Sequence, residues 1–93
     1  MNNKFLGMLG LAKRAGKVQT GADICSKAVK SGVTKLIIVA CDESDNTKKL
    51  FKDKSSFRHV NCIELSTKSD LGISIGKDSR AVIGIKDIGF ANK

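Results

Sequence analysis

Apolar positions along the chain change period several times, and each change predicts an element. Over residues 3–15, Phe5, Met8, Leu9 and Ala12 recur at helical spacing. Gly16 then serves as a stop, with Lys13 and Arg14 in the last turn. Residues 17–19 are a short strand candidate. Residues 21–31 predict a second helix with Ile24 and Ala28 facing inward, Cys25 and Val29 as further candidates for that face, and Gly32 able to end it. "KLIIVAC", Lys35 to Cys41, is a continuous apolar run rich in β-branched residues, the pattern of a strand buried on both faces. Residues 45–57 form a thinly apolar third helix carrying Leu50, Phe51 and Phe57. "HVNCIEL" predicts a partly exposed strand with Val60 and Cys62, and Leu65 as a candidate, on one face. "STKSDLGISIG" opens with polar capping residues, sets Leu71 and Ile75 four apart and closes at Gly76, a short fourth helix. "RAVIGI", Arg80 to Ile85, reads as another buried strand, and "DIGFA" as a terminal turn or helix.

The resulting order is αβαβαβαβ, with or without a last helix. Helices alternating with strands predict an α/β sandwich, a sheet held between helical layers. Ninety-three residues without a linker, repeat or low-complexity tract are expected to form one domain.

Charge adds what the periodicity lacks. The formal net charge is +8, and it is lopsided: residues 1–35 hold seven cations against the single acid Asp23. A one-sided excess on so small a domain points to a polyanionic partner, most often nucleic acid. Cys25, Cys41 and Cys62 are odd in number and lack C-x-x-C spacing, so they read as small buried thiols of a reducing compartment, neither a disulfide framework nor a zinc site. The apolar patch between Lys4 and Lys13 is short, holds Gly7 and Gly10 and lacks a cleavage signature, so it reads as a core-facing helix; no membrane attachment is expected, and a cytoplasmic location is.

Enzyme signatures fail one by one. "LGISIGKDS" resembles part of a phosphate loop, but only three residues separate Gly72 from Gly76 and Asp78 follows Lys77 where Ser or Thr is needed. His59, the only histidine, has no partner nearby in sequence and reads as solvated. Asp42, Glu43 and Asp45 suit the positive end of the next helix better than a cation. No catalytic residue, metal ligand or cofactor is assigned.

Two basic segments remain. With Thr20 as N-cap and Asp23 at the third helical position, "KVQTGADICSK" carries a capping-box pattern, and Lys27 follows Asp23 in the favourable acid-then-base order. The cap does not account for Lys17, Lys27 and Lys30 gathering about a helix start, where bare N–H groups already favour anions. Lys27 points back toward that start and can reach a guanine acceptor. The second segment is the loop "GKDSR", with Lys77, Ser79 and Arg80 before the last strand. Four phenylalanines, three of them (Phe5, Phe51, Phe57) at expected core positions, favour folded RNA over a stacked single strand.

"LGLAKRAGKVQTGADICSKAVKSGVTKLIIVACDESDNTKK" followed by "LGISIGKDSRAVIGIKDIGFA" resembles the kink-turn RNA-binding ribosomal-protein superfamily, of the L-seven-Ae and L-thirty-e type, and most of all its small bacterial YlxQ-type branch. The resemblance runs from about Leu9 to Ala91. It implies a three-layer αβα sandwich with a central four-stranded mixed sheet. It also implies binding to a kink-turn, an internal loop with tandem sheared G·A pairs and a sharp bend, by the start of the second helix and the loop before the last strand. On this resemblance Gly21 matches the glycine that lets the backbone approach RNA, Lys27 the lysine that contacts the G·A pairs, and Lys17 the basic residue before the helix. Where RNA-contacting members carry an asparagine and a glutamate, this chain has Asp23 and Ile24. Asp23 can accept from guanine N–H groups but cannot donate to O6, and Ile24 forms no side-chain hydrogen bond.

The leading expectation is therefore a monomeric, non-enzymatic RNA-binding protein, with Lys17, Gly21, Asp23, Lys27 and Lys30 on one half of its surface and Lys77, Ser79 and Arg80 on the other. Its partners are expected to be structured or ribosomal RNA, and ribosomal or translation proteins. The competing expectation is a protein-interaction module of a translation or ribonucleoprotein complex, and a third is the stand-alone substrate-binding domain of an RNA-modifying enzyme.

Overall fold

The computed structural model describes residues 3–86, with side chains from Leu6 onward. The terminal element expected in "DIGFA" and the core position expected for Phe5 lie outside the described residues. The elements run α1 (Asn3–Arg14), β1 (Val18–Thr20), α2 (Ala22–Ser31), β2 (Leu36–Val39), α3 (Asp45–Phe57), β3 (Asn61–Glu64), α4 (Lys68–Ser74) and β4 (Val82–Ile85). The sheet order is β1-β4-β2-β3. β2 runs parallel to β3, and β4 is antiparallel to both β1 and β2, so the sheet is mixed as expected.

The two central strands are buried throughout, which is why their sequences are apolar without alternation. Leu36, Ile38, Ile83 and Ile85 point to one face and meet Leu9 of α1 with Leu71 and Ile75 at α4. Ile37, Val39 and Val82 point to the other and meet Cys25 and Val29 of α2 with Phe51 of α3. Two helical layers thus sandwich the sheet. Gly84 makes room on the α2 side: an added Cβ would lie 3.2 Å from the Thr34 side chain and 3.5 Å from Cys25 Sγ.

Helix ends follow local chemistry. The Lys17 N–H donates to Ala12 O at 2.9 Å and that of Gly16 to Lys13 O at 3.0 Å, closing α1 around Gly16 at φ 73. Ser44 and Thr67 cap α3 and α4 by accepting from the N–H groups of Thr47 and Asp70.

Some expectations are corrected. Ile24 is 57% exposed, because the inward stripe of α2 is Cys25, Ala28 and Val29 and Ile24 falls to one side of it. Leu50 is exposed too, and Phe57, the last residue of α3, overhangs the core at 78% exposure. Leu65 shares a face with Ile63, opposite Val60 and Cys62, as strict alternation requires. Of the three thiols only Cys25 is buried; Cys62 is half-buried and Cys41 exposed. Among the described residues no helix is long and apolar enough to cross a membrane.

Candidate nucleic-acid interface

The start of α2 is built differently from the other capped starts. Thr20 is not its N-cap: it is the last residue of β1, paired with Ile83, and the ladder continues one residue further as the Gly21 N–H donates to Val82 O at 3.2 Å. Strand pairing therefore delays the helix, and the expected reciprocal bond between Thr20 and Asp23 does not form. Gly21 takes the N-cap position at φ 96 and ψ 141, with no side-chain cap. That backbone region is open to glycine and strained for other residues. The N–H groups of Ala22, Asp23 and Ile24 find no acceptor among the described residues. A Cβ at Gly21 would meet nothing within 4 Å, so the α2 start faces open space.

The basic loop reaches the same end of the sheet. Val82 pairs with Val39, and the Ala40 N–H donates to Ala81 O at 2.8 Å, so residues 76–81 enter β4 beside the point where Gly21 leaves β1. The loop is seated on α4. The Lys77 N–H donates to Gly72 O and the Arg80 N–H to Lys68 O, both at 2.9 Å. A Cβ at Gly72 would overlap the Asp78 carbonyl, so only glycine lets the loop lie this close. The near-match to a phosphate loop at Gly72 and Gly76 is thus a packing feature, with Gly76 turning at φ 72.

Several acids near this end are already engaged, whereas Asp23 and Asp78 form no ion pair among the described residues. Asp42 Oδ1 accepts from the Lys68 N–H at 2.9 Å, and Glu43 pairs with Lys68 Nζ at 3.5 Å. Glu64 takes Lys48 and Lys52 at 3.3 and 3.4 Å, and those two lysines hold its carboxyl below the usual range. Lys27, Lys30 and Lys77 are exposed, Arg80 is half-buried, and none of the four forms an ion pair among the described residues. The Arg80 guanidinium donates to Ser79 O at 2.8 Å.

Gly21 and the loop that carries Lys77, Ser79 and Arg80 into β4 lie at one end of the sheet, Asp23 and Lys27 follow Gly21 within the first two turns of α2, and the other two candidates lie farther off. Lys30 lies in the last turn of α2, about 12 Å along the axis from the helix start. Lys17 precedes β1 at its other end, about 13 Å of strand from Gly21, where its carbonyl accepts from the Lys86 N–H. Proximity in sequence alone groups them as a single cluster. Conversely, Gly72, Cys41, Lys68 and the exposed Ile24 belong to this end of the molecule without having been assigned to it. A glycine inside an otherwise helical pattern was the one available signal for Gly72. Among the described residues no group of His, Cys, Asp and Glu is arranged to hold a metal ion.

Comparison with known proteins agrees with this architecture. The model of the "Ribosomal protein L7Ae/L30e/S12e/Gadd45 family" matches residues 3–93. An Enterococcus faecium protein named RNA-binding protein YlxQ is 44% identical over 97% of this chain and 86% of its own length. A Bacillus subtilis protein of the same name is 41% identical over 97% of this chain and 90% of its own. A solved Bacillus halodurans protein of unknown function superposes with a TM-score of 0.94 at 39% identity, covering 96% of this chain and 90% of that one. With the family pattern running through both helical layers and every strand of the sheet, the chain belongs to the ribosomal protein L7Ae/L30e/S12e/Gadd45 family, in its YlxQ-type branch.

Proposed function

We propose that this protein is a non-enzymatic RNA-binding protein that holds a structured, kink-turn-like RNA between the start of α2 and the loop before β4. The observation that carries this reading is the convergence of the two segments: Gly21 and Ala81 flank the same end of β4, one tied to Val82 O and the other to Ala40 N–H. Family membership and the printed function of the YlxQ relatives support the RNA partner.

The division of labour follows from the chemistry. The uncapped N–H groups of α2 and its dipole suit a phosphate or a base acceptor. Lys27 supplies a donor for a guanine edge, and Lys77 and Arg80 neutralise phosphates on the opposite strand of the bend. Asp23 accepts guanine N–H groups but repels phosphate, so it tunes which nucleotide sits at the helix start. Most of the affinity comes from counterion release and is steeply salt-dependent. Such a protein acts as a rigid adaptor on ribosomal or other structured RNA in the cytoplasm.

The test is a calorimetric titration against a kink-turn RNA and a straight duplex of the same composition, across a salt series. Preference for the kink-turn, with affinity falling linearly on a logarithmic salt axis, is expected. Equal binding to both RNAs would remove the kink-turn from the reading, and binding to neither would remove RNA.

A further inference from the structure

Phe57 is the most exposed of the large apolar side chains described. Helical spacing predicts its ring in the core, which would leave no exposed aromatic there for a single strand; it stands 78% exposed at the end of α3 instead. The Arg58 guanidinium carbon lies 5.5 Å from the ring centroid. The pair opens onto a hollow of about 300 Å³ between the last turns of α2 and α3, walled by Val29, Lys30, Asp53 and Lys54. A second hollow, about 330 Å³, shares Arg58 and is walled by Lys35, His59 and Asn61 beside the Gly32 turn.

The two hollows differ in chemistry. The first offers an aromatic ring and an aliphatic floor, the second sets the polar side chains of Lys35, Arg58, His59 and Asn61 about Val60 and the Gly32 turn. Lys30, Lys54 and Arg58 share the first wall with Asp53, the one acid in either; Lys35 stands in the second, its Nζ donating to Gly32 O at 3.3 Å; and none of the four cations forms an ion pair among the described residues. A planar apolar face with cations along its border is the arrangement on which unpaired bases stack while their phosphates are neutralised.

We propose that this face is a second RNA site, taking an unpaired nucleotide of a single strand, its base on Phe57 and its phosphate among Lys35, Arg58 and His59. The inference rests on the RNA-binding reading above and extends it. Lys30 lies one turn beyond Lys27 on α2. A strand leaving an RNA held at the α2 start is therefore carried along the helix, past Lys30, to Phe57. Stacking tolerates any base, so the site adds reach and affinity without sequence preference.

The probe is a labelled single-stranded octa-adenylate RNA, read by fluorescence anisotropy at low salt, with a kink-turn duplex lacking single-stranded ends titrated in parallel. Wild-type protein is expected to bind the octamer, Phe57→Ala to weaken it about tenfold, and Phe57→Trp to restore it. Phe57→Ala should leave the tail-less kink-turn at its wild-type affinity and the melting temperature unchanged, since the ring stands outside the core. Equal octamer binding by wild type and Phe57→Ala overturns the proposal, as does no octamer binding by wild type. A loss on Phe57→Ala seen with an oligo-glutamate peptide but not with the octamer assigns the face to acidic protein and overturns it too. Octamer binding without kink-turn binding would retain this site and retire the kink-turn reading; kink-turn binding alone would do the reverse.

Discussion

The carbonyl of Asp78 occupies the space in which a side chain on Gly72 would begin. This approach seats the Lys77–Arg80 loop on α4, from which it runs into β4 beside Gly21. Gly72→Ala is expected to push the loop off the helix, lowering stability by about 1–3 kcal/mol as an overpacking change and weakening RNA binding with it. Thermal melts and an RNA titration on the same variant check both. Gly21→Ala makes a useful contrast, because its Cβ has open space and its cost, also about 1–3 kcal/mol, is purely backbone strain at φ 96. A Gly72→Ala protein that melts and binds like wild type would show that the loop needs no seat.

Lys27 and Asp23 sit one turn apart on α2 and should respond in opposite directions. Lys27→Ala is expected to weaken a kink-turn RNA by about 1–3 kcal/mol while leaving the fold intact. Asp23 no longer has a capping partner, so its structural value is its charge at the helix start, about 0.3–1 kcal/mol. Asp23→Asn should lose that much stability and bind RNA equally or more tightly, since it removes repulsion and adds a donor. Markedly weaker RNA binding by Asp23→Asn would instead make the carboxylate a base contact.

Cys25 predicts a weakness at alkaline pH. Its thiol is fully buried, and burial pushes it from 9.0 up to about 12, a hydrogen bond with the Gly84 backbone acting in the opposite sense. The folded thiol keeps its proton where the unfolded one loses it. Its contribution is therefore complete below 9.0 and is lost as pH rises toward about 12, by about 1.4 kcal/mol per pH unit. Urea melts from about pH 8 to about pH 10.5 should show this slope in wild type and a shallower one in Cys25→Ala. The same slope in both proteins would place the alkaline loss elsewhere.

The three thiols should also separate by reactivity. Cys41 is exposed, burial raises the half-buried Cys62, and Cys25 is buried. Maleimide labelling followed by mass spectrometry is expected to modify Cys41 first, Cys62 slowly and Cys25 only on unfolding. The Cys41 N–H donates to Ser66 O at 2.8 Å beside the Ala40–Ala81 bond, so a bulky label there stands next to the basic loop. It should block kink-turn binding; full affinity after labelling would move the interface away from this end of the sheet.

The elements were legible because β2 and β4 are buried on both faces and α1 and α2 end at glycines. What escaped was decided by distant partners. Thr20 carries every local mark of an N-cap, and pairing with Ile83 overrides it. Ile24 and Phe57 are apolar at helical spacing, but only the position of the sheet tells which stripe is covered and where a helix outruns the core. Lys17, Lys27 and Lys30 are close along the chain, and a strand and a helix then carry them apart. The pairing of the α2 start with the Lys77 loop came from family resemblance, since no local pattern tells which loop returns to which helix.

The sheet order also sets a schedule. Among the described residues β1 has no strand neighbour but β4, and β4 follows the other three in the chain. The α2 start hangs on Val82 and the basic loop leads directly into it, so neither half of the surface is in place until β4 inserts between β1 and β2. A chain that still lacks β4 can form α1 and α2 but cannot yet set the basic loop beside the α2 start.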